Sequence, residues 1–178
     1  KLGLPESDLR MQPMAIRNPL GADTAVMRPT LVCDMLKTLS FNMNHATESA
    51  SLYEMAAVFD PHHPTAEGLP TETQTLCMGI YGEDVDFFTL RGAVEALLTA
   101  CGISCEVEAG GDCYYHPGRC ARLVRGQQVF AVLGEVHPTV REAFDMPRRA
   151  IVAEINLAQL LEYGKPMGEM KPLPRFPS

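Results

Sequence analysis

Two histidines and a glutamate stand at the ends of a predicted hairpin. His116 opens the run His-Pro-Gly-Arg, and Glu135 and His137 belong to the run Leu-Gly-Glu-Val-His-Pro. Histidine titrates near neutral pH and binds metals, so these residues could form an acid–base pair or a metal site. The favoured interpretation is structural: they form a polar cap around the hairpin ends, with Arg119 paired to Glu135 across the strands.

Other residues capable of chemistry give weaker signals. His62 and His63 are neighbours in a proline-rich loop, and neighbouring side chains of an extended chain point apart, which favours solvated histidines over metal ligands. The six cysteines are scattered, and we expect free thiols in a non-secretory context. A zinc site is the alternative for four of them, although their gaps match no paired CxxC spacing: Cys101, Cys105, Cys113 and Cys120.

A β-hairpin would position His116, Glu135 and His137. Residues 120–124 and 129–136 are rich in apolar side chains, and Gly126 lies in the short connection between them, so the pattern predicts two antiparallel strands. Proline disfavours helical geometry at the preceding residue, so each His-Pro pair should bracket a strand. Pro138 can occupy the first position of a following helix.

The remaining pattern predicts an α+β fold, a mostly antiparallel sheet flanked by helices. Four further strands are expected, near 52–59, 75–81, 104–108 and 150–155. Four helices are expected, from Pro29 to about Asn44, from an Asp86 cap to Gly102, over 138–145, and over 157–163 behind an Asn156 cap.

Composition restricts the function classes. The 178 residues are 46% hydrophobic and 21% charged, which is typical of a folded domain, and no apolar run approaches the roughly 18 residues of a membrane span. The formal charge of −7 argues against a nucleic-acid-binding face. A local RNA contact remains an alternative at three arginines, Arg119, Arg122 and Arg125. The favoured interpretation is that they lie on a solvated or subunit-facing edge.

Several short motifs occur in an order that resembles the beta subunit of bacterial phenylalanine–tRNA ligase, in its catalytic-like core domain. The segments His116–Arg119 and Leu133–Pro138 carry the resemblance most clearly, and Leu173 to Pro177 extends it toward the C-terminus. The signature residues are Asn18, Pro19, Arg28, Pro29, Glu54, Phe59, Asp86, Phe87, Gly92, His116, Pro117, Gly118, Arg119, Gly134, Glu135, His137, Pro138 and Glu154. The resemblance implies the core fold of a class II aminoacyl-tRNA synthetase.

The resemblance also identifies chemistry that is missing. An active class II site holds the ATP triphosphate with two arginines, one on the strand after the Arg-Pro-Thr turn and one on a helix behind a glycine-rich strand. In this chain the first strand, 51–59, carries Glu54 and no arginine, and residues 152–160 contain neither glycine nor arginine. We therefore expect no catalytic, cofactor-binding or metal-binding residue in this piece.

For the whole enzyme, the resemblance implies ATP- and Mg²⁺-dependent attachment of phenylalanine to tRNA(Phe) by a cytoplasmic α2β2 heterotetramer. This domain would be an inactive scaffold and interface to the catalytic alpha subunit, with direct tRNA contact left open. The alternatives are an active class II-like ligase domain and an unrelated α+β interaction module. The expected organisation is a truncated N-terminal segment over 1–25, the core over 26–164, and a linker over 165–178 toward a following module.

Overall fold

The computed structural model describes residues 1–21 and 24–165. Within them the strands are β1 (Ala50–Asp60), β2 (Thr71–Tyr81), β3 (Glu106–Ala109), β4 (Tyr115–Arg125), β5 (Gln128–Val136) and β6 (Ile151–Asn156). The helices are α1 (Val32–Asn44), α2 (Phe87–Ala100), α3 (Pro138–Ala143) and α4 (Leu157–Tyr163), and a 3-10 turn spans Leu9–Met11. The expected linker after residue 165 lies outside the described residues.

The six strands form one sheet in the order β1-β2-β6-β5-β4-β3, and every neighbouring pair is antiparallel. The predicted α+β class with an antiparallel sheet is therefore confirmed. Strand β6 lies between the β1–β2 and β4–β5 hairpins. Val152 and Ala153 at its centre have no exposed surface, which explains the nearly continuous apolar sequence of this strand.

Helices cover both faces of the sheet. On one face, α1 packs through Leu36 and Leu39, and on the other, α2 and α4 pack through Val94 and Leu160. Helix α1 approaches β2 so closely that a Cβ atom on Gly79 would lie 2.8 Å from the Met35 side chain. The absent side chain of this glycine therefore sets the spacing of helix and sheet.

Two predicted helix starts are confirmed by their caps. The Asp86 side chain accepts a hydrogen bond from the Thr89 amide at 2.9 Å, and Thr89 Oγ1 accepts one from the Asp86 amide at 3.2 Å, which forms a capping box. Asn156 accepts a hydrogen bond from the Gln159 amide at 3.1 Å and caps α4.

Three boundaries differ from prediction by three residues or more. Strand β2 begins at Thr71, four residues before its expected start at residue 75. Helix α1 begins at Val32, three residues after Pro29. Strand β4 begins at Tyr115, so His116 and Pro117 lie inside a strand that they were expected to precede. The pairing of β4 with β5 shifts register between Tyr115 and Cys120. Proline, which cannot donate to a ladder, is tolerated in such a bulge.

Candidate functional site

A cleft of about 360 Å³ lies on the face of the sheet that carries α1. Strands β1, β2, β5 and β6 supply its floor, with Val58, Thr75, Val132 and Glu154 among the lining residues. The N-terminal segment around Leu9–Met11 forms one wall. Strands β1 and β6, where the phosphate-binding arginines of an active class II site are missing, therefore meet at this cleft.

Arg10 is the one lysine or arginine that lines the cleft in the described part of the chain. Its guanidinium donates from Nε and Nη2 to Asp8 at 3.0 and 2.8 Å, and Nη2 also donates to Asp112 Oδ1 at 2.7 Å. The hydrogen bond from Arg10 lowers the pKa of Asp8 to about 2. Two carboxylates therefore offset the positive charge of Arg10 and occupy its Nε and Nη2 donors, while Nη1 donates to the Tyr114 hydroxyl at 3.5 Å.

Glu154 places a carboxylate on the cleft floor. Its Oε1 accepts a hydrogen bond from the Leu31 amide at 2.8 Å, and its two oxygens accept from the Thr30 hydroxyl at 2.9 and 3.0 Å. Burial raises the pKa of Glu154, while these hydrogen bonds act in the opposite direction. The side chain thus ties the start of α1 to the centre of the sheet.

Acidic side chains dominate the charged lining of the cleft. Asp60, Asp112 and Glu154 line it, and its one arginine is already paired. Nearby, Arg28 donates to Glu54 at 2.7 Å and also lies 3.4 Å from Asp34. A bound polyphosphate would meet carboxylates where charge-assisted donors are required.

The hairpin residues form the predicted ion pair. Arg119 Nη1 donates to both Glu135 carboxylate oxygens, at 2.8 and 2.9 Å, which confirms the expected contact across the strands. The two histidines bond locally: His116 Nδ1 accepts from the Gly118 amide at 3.2 Å, and His137 Nδ1 accepts from the Thr139 amide at 3.3 Å. His137 thereby caps α3, and Pro138 occupies the first turn of that helix as expected.

The loop histidines differ from each other. His62 Nε2 lies 3.0 Å from the Leu9 carbonyl and 3.1 Å from the Gln12 carbonyl. Two carbonyls require this nitrogen to donate, so His62, expected in solvent, is only partly exposed and also fastens the N-terminal segment. His63 lies largely in solvent, with its Nδ1 2.7 Å from Asp60.

All six cysteines are free thiols. Across residues 1–21 and 24–165, no group of three or more histidine, cysteine or acidic side chains could hold a metal ion. Over the same residues, no helix is both long and apolar enough to span a membrane.

Sequence reasoning missed the residues that build the cleft wall. Asp8 and Arg10 are two positions apart, an interval that lets an acid and a base meet in a turn, but the segment offered no helical or strand periodicity. Asp112 lies 102 positions from Arg10, and no local pattern connects them.

The antiparallel sheet with helices on both faces is the fold of a class II aminoacyl-tRNA synthetase. The chain superposes on the solved pyrrolysyl-tRNA synthetase from Desulfitobacterium hafniense with a TM-score of 0.70 and 15% sequence identity, over 90% of this chain and 56% of that one. At this identity the likeness concerns the fold alone.

The sequence comparisons define the family. Residues 1–157 match the family model "Phenylalanyl tRNA synthetase beta chain CLM domain", and the chain belongs to this family. Phenylalanine–tRNA ligase beta subunits from Clostridium acetobutylicum and Clostridium tetani are 37% and 35% identical over 180 and 175 residues, or 100% and 97% of this chain. The chain spans about a fifth of their length, since it covers 22% of each. An unrelated interaction module is thereby excluded.

Proposed function

We propose that this domain does not activate an amino acid itself and instead supports the catalytic alpha subunit of a phenylalanine–tRNA ligase. The relatives bear the name of the beta subunit of that enzyme. The complete ligase would attach phenylalanine to tRNA(Phe) in the cytoplasm, using ATP and Mg²⁺, as an α2β2 heterotetramer.

The charge of the cleft carries this proposal. Arg10 is held by Asp8 and Asp112, and Glu154 occupies the β6 floor. Charge-assisted hydrogen bonds contribute roughly 1.5–3 kcal/mol each, so a site without free cations forgoes most of the binding energy for a triphosphate. The β1 carboxylate of Glu54 is likewise paired, with Arg28.

Calorimetric titration with ATP and Mg²⁺ tests the absence of a nucleotide site. We expect no saturable heat at millimolar ATP. Adenosine serves as a matched ligand without phosphates. If adenosine binds and ATP does not, the charge of the cleft excludes the triphosphate. If neither ligand binds, the shape of the cleft also excludes the nucleoside. Saturable ATP binding by the wild-type chain would contradict the proposal and favour the alternative of an active ligase domain.

Exposed apolar side chains on an edge strand support a protein partner. Strand β1 is one edge of the sheet, and Tyr53 and Met55 project from the same face of it. Tyr53 is 70% exposed, unusual for a large aromatic ring outside an interface. The alpha subunit is the partner that we propose for this edge.

Charge substitutions at both sheet edges test this interface. We expect Tyr53→Lys to weaken association with the alpha subunit by about tenfold or more, because it replaces an aromatic contact with a charge. Val107→Lys, on the opposite edge strand β3, is the matched control and should leave the dissociation constant unchanged. Light scattering of the mixed subunits provides the measurement, and equal effects of both changes would argue against a β1 interface.

A further inference from the structure

A second pocket, of about 380 Å³, lies where the start of α2 meets the β4–β5 hairpin. Its lining includes side chains from α2, the hairpin and the segment before β6: Asp86, Phe87, Phe88, Arg119, Glu135 and Arg149. None of these residues lines the cleft beside α1. Its volume is within the range of pockets that hold small molecules.

One side of this pocket carries a net positive charge, because Arg119 and Arg149 both lie beside the single carboxylate of Glu135. Glu135 is only 8% exposed, and both of its oxygens accept hydrogen bonds from Arg119. The Arg149 guanidinium lies 4.0 Å from Glu135, beyond hydrogen-bond distance, and its side chain is 66% exposed. Since Arg119 already offsets the Glu135 charge, Arg149 can offer a planar pair of donors to a carboxylate.

The other side carries a negative charge. Asp86 Oδ1 accepts hydrogen bonds from the Thr89 amide at 2.9 Å and the Thr89 hydroxyl at 3.0 Å. These hydrogen bonds lower the pKa of Asp86, which keeps the carboxyl ionised. No lysine, arginine or histidine of the described residues forms an ion pair with Asp86, so its charge is open to a cationic group.

An aromatic surface lies next to Asp86. Phe88 is 68% exposed, and its ring meets Phe87 edge to face with 5.4 Å between the ring centres. A phenyl ring this exposed leaves most of its apolar area in water, so an apolar group that covers it gains free energy. The pocket therefore combines a net positive charge around Glu135, a negative charge at Asp86 and one apolar surface.

We propose that this pocket binds a free α-amino acid with an apolar side chain. The ligand carboxylate pairs with Arg149, its ammonium group pairs with Asp86, and its side chain covers the Phe88 ring. A zwitterion satisfies both open charges, whereas a simple anion would be repelled by Asp86 and a simple cation by Arg149. The proposal does not depend on the role of the domain in the ligase.

Titration of the ¹⁵N-labelled chain, followed by two-dimensional NMR, tests the proposal with a set of matched probes. L-phenylalanine carries all three groups, 3-phenylpropanoate lacks the ammonium, phenethylamine lacks the carboxylate, and alanine lacks the ring. We expect L-phenylalanine to shift the amide signals of Phe88, Arg119 and Arg149. The two probes that lack one charge should each bind about fivefold more weakly, because exposed ion pairs contribute up to about 1 kcal/mol each. Alanine should also bind more weakly, because it cannot cover the Phe88 ring.

Two variants test whether Arg149 and Asp86 bind the charged groups of the ligand. Arg149→Gln and Asp86→Asn should each weaken L-phenylalanine binding about fivefold, and asparagine preserves the α2 cap, so the fold is retained. Arg141→Gln, on α3 and outside the pocket lining, is the matched control and should change nothing. Absence of saturable shifts in the pocket, equal affinity for 3-phenylpropanoate, or unchanged binding by Arg149→Gln would overturn the proposal.

Discussion

Replacing Glu154 measures what one buried carboxylate contributes to the fold. In Glu154→Ala the Leu31 amide, on a residue with no exposed surface, loses an acceptor at 2.8 Å. A buried donor left unsatisfied costs about 1–3 kcal/mol, and the lost hydrogen bond from Thr30 adds about 1 kcal/mol. The expected decrease in the free energy of unfolding is therefore about 2–4 kcal/mol.

Glu154→Gln is the matched control for charge. Its amide oxygen can accept from Leu31 and its amide nitrogen can donate to the Thr30 hydroxyl, so we expect a stability within about 1 kcal/mol of wild type. Because burial raises the pKa of Glu154 above its ordinary value of 4.5, the folded chain binds this proton more readily than the unfolded chain. This group's contribution to stability therefore falls as pH rises from 4.5 through the raised pKa, and the glutamine variant should lack that component.

Urea unfolding followed by far-ultraviolet circular dichroism is the appropriate assay, because the chain contains no tryptophan. The midpoint and slope should be compared for wild type and both variants between pH 4 and 8. A loss below about 1 kcal/mol in Glu154→Ala, or equal losses in both variants, would refute the hydrogen-bond account.

Two further predictions concern packing and acid sensitivity. Gly134→Ala places a Cβ 2.7 Å from the Cys120 Cβ and should cost about 1–3 kcal/mol, whereas Gly118→Ala, whose nearest neighbour lies at 3.6 Å, should change the urea midpoint little. Arg10 lowers the pKa of Asp8 from 3.8 to about 2. The contribution of Asp8 to the free energy of unfolding is therefore complete above pH 3.8 and is lost as pH falls through 2. The protection factors of residues 1–13 against hydrogen exchange should fall over that interval, and Arg10→Met should show low protection already at neutral pH. Unchanged protection in that variant would argue against the ion pair.

Sequence alone predicted the features that depend on neighbouring residues. Asp86 and Asn156 begin helices through hydrogen bonds within three positions, so their boundaries could be read directly. Arg119 and Glu135 could be paired because a short hairpin connects their strands. The bulge at Pro117 was missed, since β propensity continues on both sides and only the partner strand shows the shift in register.

The cleft could not be predicted, because its contacts join distant segments. His62 bonds the Leu9 carbonyl from 53 positions away, and Thr30 meets Glu154 across 124 positions. Sequence showed that β1 and β6 lack phosphate-binding arginines, but it could not show that the N-terminal segment forms a wall whose own arginine is already paired.

The central position of β6 has a consequence for how the chain acquires its structure. The β4–β5 hairpin closes over two residues and the β1–β2 hairpin over ten, and both can form while later residues are still being synthesised. The strand that joins them is the last of the six in the chain, so until residue 156 has left the ribosome, β2 and β5 each present an open backbone edge. This interval is when a nascent chain is most exposed to mispairing, and a chain ended before Ile151 would remain as two unjoined half-sheets.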